Sequence, residues 1–199
     1  MIAAAFLVAA YLVGAIPFGL LIARALIGVD IRRRGSGNIG ATNVRRVAGN
    51  LAGVLTLAGD VAKGAVPVAV AAAHGELAGH WGGAYPAVVA LAAFLGHLYP
   101  IYLKFKGGKG VATAAGGIGV LSPLTVLVAL SVFIVAVAAG RRVSAGSMSA
   151  AVALPVSAFF IGLPPASVAV VAVMALFIIF RHKDNIRRLM DGSEPRLGR

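Results

Sequence analysis

Apolar residues fill this chain in runs long enough to cross a hydrocarbon layer, and that settles its class before any motif is considered. A bilayer core of about 30 Å asks for roughly 20 helical residues. Of the 199 residues, 60% are apolar and only 12% charged. A mean hydropathy of +0.95 exceeds what a soluble core requires. The sequence therefore reads as an all-α, polytopic integral membrane protein, a single membrane-embedded domain over residues 1–199. About seven transmembrane helices are expected, near residues 2–26, 51–73, 84–103, 111–121, 124–140, 148–162 and 167–180. The fourth and sixth are short for a bilayer, which implies tilt, partial re-entry or local thinning of the membrane.

Charge then orients the spans. The formal net charge is +12, and an odd number of spans gathers its cations, in residues 32–46, 104–109, 141–142 and 181–199, on one face. The opposite loops, around residues 74–83, 121–123 and 162–166, contain no Lys or Arg. By the positive-inside rule the basic face is cytoplasmic, with the N-terminus outside and the C-terminus cytoplasmic. The N-terminal apolar run is too long for a cleaved signal and lacks a basic start, so it reads as a retained first helix. With no cysteine, disulfides, thiol catalysis and zinc–thiolate sites are excluded. Orientation and contact with anionic head groups are one of two readings of Arg32–Arg34, Arg141–Arg142 and Arg196–Arg199, the other being a part in phosphate recognition. Neither orientation nor head-group contact accounts for cations set among Gly, Asn and Thr, because topology needs charge and not glycine.

Three such segments interrupt the apolar sequence. In the first, GSGNIGATNVRR, glycines 35, 37 and 40 allow restricted backbone and let N–H groups converge on an anion. Ser36, Asn38, Thr42 and Asn43 add neutral polar groups, and Arg46 adds a planar fork suited to phosphate oxygens. A tight turn between helices needs one or two of these residues, not all of them. The second segment, KFKGGKGVAT, fails as a Walker A loop, since Leu103 stands where its first glycine belongs and Gly110 follows Lys109. It retains Lys106, Gly107, Gly108 and Lys109 at the start of a helix whose N-terminal N–H groups favour anions. The third, RHKDNIRRLMDGSE, carries His182, with Asn185 on the same side if helical, and Glu194 in position to bridge cations from the other loops. His182 is read as the only histidine on the basic face. His74, His80 and His97 are assigned to the opposite half as interfacial or packing residues. Asp60 and Lys63 form an intramembrane i,i+3 pair that either neutralises itself or steadies the first loop.

Taken together with IPFG in the first span, GSGNIGATNVRR, GGKGVAT and HKDNIRRLMDGSE resemble the bacterial acyl-phosphate-dependent glycerol-3-phosphate acyltransferases, the PlsY family, over essentially the whole chain. The resemblance implies a seven-helix enzyme of the bacterial inner membrane. It would move a fatty acyl group from acyl phosphate to the 1-hydroxyl of sn-glycerol 3-phosphate, giving lysophosphatidic acid and phosphate in the first step of phospholipid synthesis. It implies catalytic roles for Ser36, Thr42, Asn43, Arg46, His182 and Asn185. Substrate-binding roles are implied for Asn38, Lys106, Gly107, Gly108, Lys109 and Glu194, and for Ser144 in RRVSAGS. Where the family often has Glu before Asn in the third motif, this chain has Asp184. No cofactor, metal or nucleic acid is implied; the partners are the two substrates and membrane lipid.

That chemistry suits the residues. Both substrates carry phosphate, so fixed cations and N–H donors are needed to hold two anions side by side. Acyl phosphate is already activated, which leaves alignment of the alcohol and stabilisation of the oxyanion. The H-x4-D pair of other glycerolipid acyltransferases is absent, since Arg187 and Tyr102 stand at the spacing where the aspartate would follow His182 and His97. Like charge from Arg181 and Lys183 biases His182 towards the neutral form, and it is assigned as a phosphate-positioning donor. The alternatives are a transporter of a phosphorylated metabolite or lipid, which would place its site at the midplane between repeated halves, and a non-catalytic scaffold for anionic lipid.

Overall fold

Pro17 breaks the first apolar run in two. In the computed structural model, which describes residues 1–75 and 83–197, α1 spans Ile2–Gly14 and α2 spans Phe18–Ile27. The rest of the bundle is α3 (Ala41–Ala73), α4 (Tyr85–Leu98), α5 (Val111–Leu121), α6 (Pro123–Gly140), α7 (Val143–Ile161), α8 (Pro165–Arg181) and α9 (Lys183–Met190). No strand occurs among the described residues. His80, Gly198 and Arg199 lie outside them.

Among the described residues, five stretches are long and apolar enough to cross a membrane: α1 with α2, α3, α4 with the 3-10 turn after it, α6 and α7. Taking α8 and α9 as one span bent by 54° makes six, and α5 is a shorter apolar helix. One sequence boundary is corrected and one is extended. α3 breaks at Gly49 (φ 88°), so its second segment matches the span expected at 51–73, while a first segment from Ala41 makes ATNVRR of the first motif helical as well. α7 begins at Val143 rather than 148, long enough to span, and Ser144 falls in its first turn.

Small residues let the helices meet backbone to backbone, as apolar helices in lipid require. Gly14 and Gly96 join α1 to α4, and Gly64 and Gly116 join α3 to α5. α6 and α7 pair closely, and α7 leans on α8. The core runs between α4, α5, α7 and α8 around Phe94, Leu98, Ile118, Met174 and Ile178. Outward faces, such as Leu127, Ile134, Phe160 and Leu176, remain apolar and exposed, as lipid contact demands.

Packing at Gly96 is directly testable. A Cβ there would lie 2.2 Å from the Tyr11 carbonyl oxygen, whereas one at Gly140 meets nothing within 4 Å. Gly96→Ala is expected to cost about 1–3 kcal/mol by overpacking, read as a lower unfolding temperature in detergent. Gly140→Ala should leave that temperature unchanged.

Candidate functional site

The first motif is held in shape by the side chain of its own asparagine. Asn43, buried on the first turn of α3, donates its amide to the carbonyls of Asn38 (2.8 Å) and Arg34 (3.1 Å) and accepts the Ser36 N–H at 2.9 Å. Asn38 Oδ1 in turn accepts the Gly40 N–H at 2.8 Å, a local turn that leads into α3. Asn43 is therefore taken up in holding residues 34–40, and the side chains presented outward are those of Ser36 and Asn38. Thr42 and Arg46 are exposed on the same end of α3 and do not line the cleft described below.

In the second motif the structure corrects the expectation of free glycine donors. After α4 the chain doubles back through the left-handed residues Lys104 and Phe105. It then lies against the helix it has just left. Gly107 N–H donates to Leu98 O and Gly108 N–H to His97 O, both at 3.1 Å. On the other side, Arg181 donates to the carbonyls of Gly107 (2.7 Å) and Gly108 (3.0 Å) while its guanidinium stacks 5.8 Å from the Tyr99 ring. These glycines permit close approach and are not themselves anion donors: a Cβ on Gly107 would sit 2.1 Å from His97 O. Gly110 is required by its φ of 79° as α5 begins. Lys106 is exposed, while Lys109 turns inward.

Lys109 joins the second motif to the third. Its ammonium donates to Asn185 Oδ1; Asn185 Nδ2 donates to Glu194 Oε1 at 2.7 Å; Arg188 Nε donates to Glu194 Oε2 at 2.7 Å. Burial would push the Glu194 carboxyl up, but the neighbouring Ser144 hydroxyl, Asn185 and Arg188 outweigh it and hold it below the usual carboxylate range. Ser144 is buried, its hydroxyl near that carboxylate without a well-formed hydrogen bond to any group. The tail continues past Glu194 and is fastened by a Leu197 N–H to Arg141 O bond.

His182 differs from its assignment as a donor. Nδ1 lies 2.8 Å from the Ile178 carbonyl, which places the ring proton there and leaves Nε2 as an acceptor. Burial, reinforced by the Lys109 charge, brings its pKa down to about 4, so the ring is neutral at physiological pH. His97 is also corrected. It is buried directly beneath Gly108, at the basic end of the bundle and not in the opposite half.

All three segments meet in one open cleft lined by Ser36, Asn38, Lys109, Arg181, Lys183 and Asn185, with Phe180, Asp184 and Arg188 at its margin. Cations outnumber the single carboxylate, an arrangement suited to an anion with several oxygens. Arg181 and Lys183 both line the cleft, though sequence reading took them only as charge beside His182. For Arg181, no local pattern marks a side chain whose acceptors are carbonyls more than seventy positions earlier.

A glycerol-3-phosphate acyltransferase family model matches residues 4–192. The chain belongs to the glycerol-3-phosphate acyltransferase family. The enzyme of that name from Syntrophotalea carbinolica is 55% identical over 190 residues, covering 96% of this chain and 95% of the relative. Its counterpart from Geobacter sulfurreducens is 54% identical over 94% and 93%. Crystal structures of PlsY, an integral membrane glycerol 3-phosphate acyltransferase, are 39% identical. The glycerol 3-phosphate form superposes with a TM-score of 0.90 over 98% of this chain and 96% of that one. The lysophosphatidic acid form gives 0.88 over 98% and 95%.

For an acyltransferase with this cleft, Lys109 is expected to set a pH limit. Burial brings its ammonium down to about 8, with Glu194 opposing and Arg188 adding to the effect. The charged form is lost as pH rises through that value, so kcat/KM for glycerol 3-phosphate should fall through a limb near pH 8. Lys109→Arg, which stays charged, should move that limb to higher pH, whatever its effect on the plateau. A limb unmoved by Lys109→Arg would assign the titration elsewhere.

Proposed function

We propose that this acyltransferase holds glycerol 3-phosphate in the basic cleft and transfers to its 1-hydroxyl an acyl group from acyl phosphate, giving lysophosphatidic acid and inorganic phosphate. The observation that carries the reading is the meeting of three polar segments at one end of an otherwise apolar bundle. Ser36, Asn38, Lys109, Asn185 and Ser144 serve the two phosphates, and the exposed Arg46 and Lys106 add positive charge from the same segments. Asn43, Gly107, Gly108 and Glu194 hold that arrangement, and Thr42 adds a hydroxyl at the head of α3. Phe180, 60% exposed beside the cleft, marks where an acyl chain lying in the bilayer brings its phosphate head to the site. Fixed donors lower the repulsion between two anions and stabilise the oxyanion formed as the alcohol attacks the acyl carbon. The C–O bond to phosphate then breaks. The hydroxyl proton passes to a substrate phosphate oxygen, while neutral His182 contributes an acceptor at Nε2.

The same reading makes α1 with α2 one span and counts α3, α4, α5, α6, α7 and α8 as six more, with the cleft on the cytoplasmic side of a bacterial inner membrane. It is supported by the absence of Lys and Arg from the opposite loops.

Detergent-purified protein given acyl phosphate and glycerol 3-phosphate is expected to release phosphate and lysophosphatidic acid one for one, with acyl-CoA unable to replace the donor. Equal transfer from acyl-CoA would overturn the donor. Glycerol 3-phosphate uptake into vesicles without phosphate release would point to a transporter.

A further inference from the structure

Beneath the second motif lies a buried polar cluster that no step of the reaction above uses. Lys63 Nζ sits 2.8 Å from Asp60 Oδ1 and donates to the Ile16 carbonyl, also at 2.8 Å. That carbonyl faces Lys63 because the chain breaks at Pro17, where Leu20 N–H turns to Pro17 O. Asp60 Oδ1 stands 3.6 Å from His97 Nδ1, which shares a 3.2 Å hydrogen bond with Thr113 Oγ1. Asp60, Lys63, His97 and Thr113 are each no more than 3% exposed. Two charges so deep among membrane helices are costly to bury even when paired. Neutralisation alone does not explain why four elements converge on them.

The far edge of the imidazole supplies an explanation. A Cβ built on Gly108 would fall 2.2 Å from His97 Nε2, so the Gly108 backbone rests on that edge. The ring cannot swing aside, because its other nitrogen is held by Thr113 and Asp60, and its own carbonyl receives the Gly108 N–H at 3.1 Å. From above, Arg181 draws on the Gly107 and Gly108 carbonyls. The glycine pair is thus fixed between a rigid support and a guanidinium, and Lys109 is the next residue.

We infer that His97, held by Asp60, Lys63 and Thr113, is a positioning residue for acyl transfer: it sets the height of the Gly107–Gly108 step and through it the placement of Lys109 in the cleft. The inference rests on the acyltransferase reading above. It makes the intramembrane ion pair part of the active-site support and identifies what Gly108 must avoid.

A double-mutant cycle separates this from a merely structural role. Asparagine at position 97 keeps a polar atom near Thr113 and Asp60 but lacks the Nε2 edge, so it opens room for a methyl group on residue 108. Gly108→Ala is expected to lower kcat/KM for glycerol 3-phosphate about tenfold or more, and His97→Asn a few-fold. The double variant should perform about as well as His97→Asn alone. Losses that multiply, or a Gly108→Ala enzyme with wild-type kinetics, would overturn the inference. As a variant that keeps both glycine and imidazole, Thr113→Val should raise KM for glycerol 3-phosphate while kcat and the detergent unfolding temperature hold. An unchanged KM would contradict the positioning role. Wild-type protein assayed in the same series shows transfer or does not, so failure of the acyltransferase reading is seen separately.

Discussion

Lys109 is fixed to Asn185, and through Asn185 to Glu194 and Arg188, and on this short run of charge-assisted bonds the rest of the site depends. It ties the loop before α5 to the α8–α9 bend and to the tail beyond Met190. Such bonds are stronger than neutral ones and gain further from partial burial. Without it, Lys109 and Arg188 would face each other across the cleft as like charges. With it, one carboxylate balances them from behind and leaves the open side of the cleft basic.

The bundle serves this arrangement by gathering its three polar motifs at one end. Helices joined through glycine contacts approach backbone to backbone, and the exposed apolar faces of α6 and α7 are consistent with lipid as solvent. At the basic end the loops are rigid in a particular way: Asn43 closes the first motif on itself, and the second is laid against α4 and clamped by Arg181. Preorganised donors are what stabilise developing charge without reorganisation at the moment of reaction. A pair of phosphates brought together in water would repel. In the proposed reaction, a cleft whose cations are already placed reduces that repulsion before either substrate arrives.

Much of this was legible in the residues. Length and hydropathy identified the helical membrane class, and α5 falls at 111–121 as expected. Glycine, asparagine and cation clustering marked all three segments that meet in the cleft. What escaped notice was direction and partnership. Asn43 reads as one more polar donor, yet its bonds run back into the loop. Gly107 and Gly108 read as exposed N–H groups, yet their neighbours are Leu98 and His97. A histidine in the apolar context LGHLYP looks like packing, and only the return of the chain after Lys104 brings Gly108 onto it. The contacts of Gly107, Gly108 and His97 depend on where the backbone turns, which the left-handed pair Lys104 and Phe105 decides and no periodicity reports.

The account stands or falls on whether the Lys109–Asn185–Glu194 relay makes three segments into one catalytic cleft. The most direct measurement is steady-state acyl transfer by Asn185→Ala, with its unfolding temperature in detergent followed alongside. Removing the central amide should reduce kcat/KM for glycerol 3-phosphate by at least about tenfold while the bundle unfolds within a few degrees of wild type. An Asn185→Ala enzyme that transfers acyl groups at near wild-type efficiency would contradict it.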